Sequence, residues 1–97
     1  MQDLTLVIPA KFESESLPIF LKEISELDCK KLIVLEKNDL ATIDSIKKFN
    51  DIELLYQKEN GYGAALREGI RETKTQYFCI INADGSMNPI ILKNMMN

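Results

Sequence analysis

Four short runs of aliphatic and β-branched residues, separated by segments of helical periodicity, constrain this chain more than any other feature. They are Leu4 to Pro9, Lys31 to Glu36, Ile52 to Tyr56 and Tyr77 to Ile81. Runs of this length, rich in aliphatic residues, read as buried strands. Pro9 lacks an amide donor and is expected to end the first. After it, Ser16 with Pro18 in the first turn opens a helix whose stripe is Leu17, Phe20, Leu21, Ile24 and Leu27. Asn38 or Asp39 is expected to cap a second helix, with Leu40, Ile43, Ile46 and Phe49 on one side. Asn60-Gly61-Tyr62-Gly63 reads as a turn into a third helix over Ala64 to Thr73. Asn88 as N-cap and Pro89 at the first helical position predict a fourth, reaching Met96.

Strict alternation of strand and helix predicts an α/β fold. Its expected architecture is three-layer α/β/α, with a mostly parallel sheet covered by helices on both faces. The 97 residues make a single domain. That domain, 1–97, is expected to be incomplete at its C-terminus, because the sequence stops inside or just past the last helix.

Composition narrows the function. With 45% hydrophobic and 28% charged residues, the chain is an ordinary globular one. A net charge of −3 and scattered lysines argue against a nucleic-acid partner. There is no histidine, which removes the commonest general base and every Ser-His or Cys-His nucleophile. Cys29 and Cys79 form no C-x-x-C pair, so neither zinc nor a redox dithiol is indicated. Leu4 to Ala10 is too short for a signal peptide and follows acidic Asp3. No apolar run approaches the ~20 residues of a membrane span. A cytoplasmic chain is expected, any membrane association coming from sequence or partners outside it.

In open parallel sheets, ligands bind beyond the carboxyl ends of the strands, where strand order reverses. The unusual residues gather at those ends: Pro9 to Glu13, Glu36 to Asp39, and Asn82-Ala83-Asp84-Gly85, joined by Lys58, Asn60, Gly61, Gly63 and Arg67. Asp84 after a fully apolar strand is placed to hold Mg²⁺ or Mn²⁺ together with substrate phosphate oxygens. The same Asp-Gly also describes an everyday turn. In Asn60 to Arg67, glycines before a helix let backbone N–H groups approach a phosphate, and equally serve a plain helix start. The segment matches neither the dinucleotide G-x-G-x-x-G nor the Walker A pattern.

Taken together, LVIPAKFESESL, ENGYGAALREGI and YFCIINADGSMNP resemble the three ordered motifs of family 2 glycosyltransferases of the GT-A fold. The nearest branch is the one that moves sugars onto polyprenyl or dolichyl phosphate. The resemblance implies a nucleotide-diphosphate sugar as donor, Mg²⁺ or Mn²⁺ as cofactor, and a polyprenyl phosphate or glycan as acceptor. It implies that Pro9, Ala10 and Glu13 line the nucleotide pocket and that Glu36 faces the base. Gly61, Gly63, Arg67 and Ala83 would complete the nucleotide site, Gly63 and Arg67 near ribose and diphosphate. Asp84 would bind the metal, beside Asn82 at the position of the first D-x-D carboxylate. Asn82, and Lys37 where the family often has a second acid, depart from the pattern. The family's acceptor half and catalytic base follow the D-x-D strand, so the base is not named here.

Three other readings compete with this one. A non-catalytic nucleotide-binding or assembly module would keep the fold without the acceptor half. Apolar surface left by an interrupted fold would favour homo-oligomers. A sugar-1-phosphate nucleotidyltransferase has a related fold, but usually opens with a glycine- and arginine-rich loop that Pro9 to Glu13 does not offer. A receiver domain needs an aspartate after its third strand, where Tyr56-Gln57-Lys58 stands.

Overall fold

The structure, a computed structural model, describes residues 3–83 and the strand backbone of 90–93. The elements run β1 (Leu4–Ala10), α1 (Ser16–Glu23), β2 (Lys30–Leu35), α2 (Leu40–Ser45), β3 (Glu53–Tyr56), α3 (Tyr62–Glu72), β4 (Tyr77–Ile80) and β5 (Ile90–Lys93). Strand order is β3-β2-β1-β4-β5. β1 to β4 are parallel. β5 runs antiparallel to β4, Ile80 opposite Ile90 and Tyr77 opposite Lys93.

The chain steps from β1 to β2 to β3 in one direction, then returns across the sheet to β4. Right-handed crossovers therefore put α1 and α2 on one face and α3 on the other. Strand residues alternate between the layers as the pleat requires. Leu6, Ile8, Ile33, Leu35 and Cys79 pack with Leu17, Phe20, Leu21 and Ile46. Val7, Leu32, Val34, Phe78 and Ile80 pack with Ala65, Leu66 and Ile70. This is the expected α/β/α sandwich. The approach of α3 is close at Gly69, where a Cβ would lie 2.7 Å from Val7 Cγ1 and 3.0 Å from Val34 Cγ2.

Several local expectations change. The predicted last helix is not formed over 90–93, where Ile90, Ile91 and Leu92 form a strand instead. A short apolar run has no decisive periodicity, and the free edge of β4 offers it a ladder. The predicted cap at Asn88-Pro89 and the end at Met96 lie outside the described residues.

Pro9 does not end β1, which continues to Ala10. Residues alternate their backbone bonding between neighbours, so Pro9 shares the side on which the Val7 carbonyl accepts the Ile81 N–H at 3.1 Å. The β4 ladder stops at Val7 opposite Ile80. The missing amide proton of Pro9 therefore costs no ladder bond.

Leu27 lies outside its stripe, since α1 stops at Glu23 and Leu27 is exposed. Its carbonyl accepts from buried Lys31 Nζ at 3.0 Å. Leu40 opens α2 but is 70% exposed. Asp39 precedes the helix without a side-chain capping bond, because its buried carboxylate turns to the Phe12 N–H at 2.7 Å.

Candidate functional site

β1 and β2 stay paired as far as Ala10 opposite Leu35, three residues after β1 and β4 have parted. The strand order reverses at this divergence, which opens a cleft of about 320 Å³ beyond the carboxyl ends of the strands. Of the residues expected at a site, Pro9, Ala10, Glu13, Glu36, Gly61, Asn82 and Ala83 all line it.

Each wall has a local cause. The loop after β1 turns at Phe12, whose backbone is left-handed at φ 56°. Asp39 binds the Phe12 N–H, and Thr42 Oγ1 accepts the Glu13 N–H at 3.1 Å, so α2 holds that loop. The Glu13 carboxylate accepts from Ser16 Oγ at the start of α1. On the floor, Glu36 is buried, and its Oε2 accepts the Gly61 N–H at 3.1 Å. The Lys11 ammonium lies 3.4 Å from the same oxygen and is about half exposed. Burying a carboxylate is costly without such partners.

The segment after β3 forms the opposite wall. Gln57 extends the β3 ladder by giving its N–H to the Leu35 carbonyl at 2.7 Å. Its side-chain Nε2 donates to the carbonyls of Glu59 at 2.9 Å and Gly61 at 3.1 Å. Glu68, within α3, accepts the Lys58 N–H at 2.8 Å and the Glu59 N–H at 3.1 Å. Those backbone bonds hold the Glu68 carboxyl below its ordinary value. Gly61 itself stands at φ 105°, a conformation that favours glycine. At the mouth, Tyr62 OH donates to Asn82 Oδ1 at 3.1 Å, linking the start of α3 to the segment after β4.

Two expected residues lie off the cleft. Arg67 reaches Glu59 at 2.8 Å on the exposed outer side of the loop. Gly63 is exposed, and a Cβ there would meet nothing within 4 Å. Asp84 lies outside the described residues. Lys11, Gln57, Tyr62 and Ala65 join the expected residues in lining the cleft. Gln57 gave a usable signal, as a polar residue ending an apolar strand. Ala65 gave none, since small residues are common on any helix.

Among the described residues no three His, Cys, Asp or Glu side chains converge as a metal site. Asn82 is neutral, and its amide oxygen already accepts from Tyr62. The described end of β4 by itself does not fit a hard cation, which prefers charged oxygens. Cys29 and Cys79 are not joined in a disulfide. Burial pushes the Cys29 thiol up, making it a poor nucleophile. No helix among the described residues is long and apolar enough to cross a membrane.

Residues 5–97 match the family profile described as Glycosyl transferase family 2. The chain belongs to that family. Uncharacterized glycosyltransferases of Mycobacterium bovis and Mycobacterium tuberculosis are similar to this family 2 chain, at 29% identity over 84 residues. The match covers 87% of this chain and 38% of each relative. The family 2 chain thus spans well under half the length of these relatives. In structure it is similar to 4-diphosphocytidyl-2C-methyl-D-erythritol synthase of Anaerococcus prevotii, with a TM-score of 0.68 at 16% identity. That match covers 84% of this chain and 43% of the synthase, and at such identity the likeness is one of fold.

Proposed function

We propose that this chain is the donor-binding part of a glycosyltransferase that takes a sugar from a nucleotide diphosphate to an acceptor. The observation that carries the reading is the convergence of Pro9, Ala10, Glu13, Glu36, Gly61, Asn82 and Ala83 on one cleft at the reversal of strand order. A slot with apolar walls at Pro9, Ala10, Ala65 and Ala83 suits a flat base. Glu36 on its floor accepts a hydrogen bond from the base. Mg²⁺ or Mn²⁺, if bound, would rest on Asp84 and the phosphate oxygens, with Asn82 contributing no charge. The ion would supply charge neutralisation to a departing diphosphate. Arg67 and Gly63 would approach the phosphates only if the loop after β3 shifts. The acceptor is a polyprenyl phosphate or a glycan, activated by a base outside this chain, in the cytoplasm.

Calorimetric titration with UDP and GDP, with and without Mn²⁺, tests the reading. Binding is expected, weakened about tenfold or more in Glu36→Gln, which removes the charge from a hydrogen-bonding acceptor. In Asp84→Ala any gain from Mn²⁺ is expected to vanish. Failure of the wild type to bind either nucleotide would sink the donor reading.

The neutral Asn82 favours one second reading, a nucleotide-binding module without transfer activity of its own. It predicts nucleotide binding with no turnover of a nucleotide sugar when the acceptor half is supplied.

A further inference from the structure

We infer that Asn82 meets the donor nucleotide as a hydrogen-bond donor to an anionic oxygen, and that Tyr62 is the positioning residue that fixes its amide for this. Nucleotide affinity then has a component that needs no divalent ion. The inference rests on the cleft being the donor site.

A carboxamide has one accepting end and one end with two N–H donors. The Tyr62 hydroxyl occupies the accepting end of Asn82 at 3.1 Å, and both residues line the cleft. The phenol is held from the first residue of α3, so the bond ties two separate walls together. What Asn82 offers to a ligand is therefore its Nδ2 end. An aspartate here would offer only acceptors, would carry a charge, and would repel a diphosphate unless a cation stood between them. Lys11 lines the same cleft and is about half exposed, adding a cation to the amide donors. The Glu13 and Glu36 carboxylates are already engaged, by Ser16 and by Gly61 with Lys11. The combination of a cation and an oriented neutral donor matches an anionic oxygen without a metal.

The test titrates wild type, Asn82→Asp and Tyr62→Phe with UDP and GDP, once in EDTA and once in Mn²⁺. Wild type is expected to bind in EDTA. Asn82→Asp is expected to lose about tenfold or more in EDTA, because a unit charge is placed beside the phosphates, and to regain part of it in Mn²⁺. Tyr62→Phe frees the amide to turn and is expected to lose roughly three- to tenfold in EDTA, by the scale of one hydrogen bond. Tyr62 is exposed, so its hydroxyl can be removed without touching the core. A role confined to stability would lower affinity equally in both media. Wild-type binding that depends wholly on Mn²⁺, or Asn82→Asp binding as well as wild type in EDTA, overturns the inference and leaves the donor reading standing. No nucleotide bound in either medium overturns both.

Discussion

The buried carboxylate of Glu36 accepts the backbone N–H of Gly61 at 3.1 Å, joining the end of β2 to the start of α3 across 25 residues of sequence. This one bond shapes the floor of the cleft. Gly61 stands there at φ 105°, which side chains other than glycine adopt only with strain.

Gly61→Ala is therefore expected to destabilise the fold by roughly 1–3 kcal/mol, the usual cost of a strained backbone position. Space is not the cause, since nothing lies within 4 Å of a Cβ there. Denaturant unfolding measures the loss. A variant as stable as wild type would show that the loop tolerates another conformation.

Gly69 fails for the opposite reason. Gly69→Ala places a methyl 2.7 Å from Val7 Cγ1, and Val7 is fully buried under α3. Overpacking typically costs about 1–3 kcal/mol, while alanine returns up to ~1 kcal/mol of helix propensity. A net loss of roughly 1–2 kcal/mol is expected in thermal or chemical unfolding. Added stability instead would mean that the sheet yields freely beneath α3.

Asp39→Ala removes the acceptor for the Phe12 N–H and leaves the left-handed turn at Phe12 unsupported. Losing a charged acceptor costs on the order of 1.5–3 kcal/mol. The expected signature is faster amide exchange at Phe12 and Glu13, with exchange in β2 slowed or hastened only as global stability dictates. Unchanged exchange at Phe12 would count against the contact.

Glu68 gives the loop after β3 a dependence on pH. Its folded pKa is lowered, first by the Lys58 N–H and then by the Glu59 N–H. Its contribution is thus fully present above the ordinary glutamate pKa and is lost as pH falls through the lower folded value. Glu68→Gln is expected to remove that dependence, because a carboxamide has no acidic proton to lose or gain over this range. Amide shifts of Lys58 and Glu59 followed through an acid titration check it; equal titration in both proteins would refute it.

Much of the site was legible because its residues sit where strand ends must be. Pro9, Ala10, Glu36 and Asn82 each follow or end an apolar run, and parallel packing carries all of them to one rim. Tyr62 and Lys11 were harder to assign, since their partners Asn82 and Glu36 are remote in sequence. Arg67 has a plausible place by spacing, yet its guanidinium turns outward to Glu59. Helical spacing sets a residue's distance from the helix start but not which of two nearby charges its side chain will meet.

The sequence by itself determined the alternation of strand and helix, the two apolar layers and the strand-end location of the polar residues. These follow from periodicity, which is local and repeats often enough to be read. Only the tertiary structure decided that 90–93 joins the sheet as an antiparallel strand, that Asp39 serves a distant loop rather than its own helix, and that Tyr62 reaches Asn82. Each depends on a partner brought close by folding: a free sheet edge, an unsatisfied amide, an amide oxygen across a cleft. Such partners compete for a side chain or a strand on nearly equal terms, and geometry, which the sequence does not display, settles the choice.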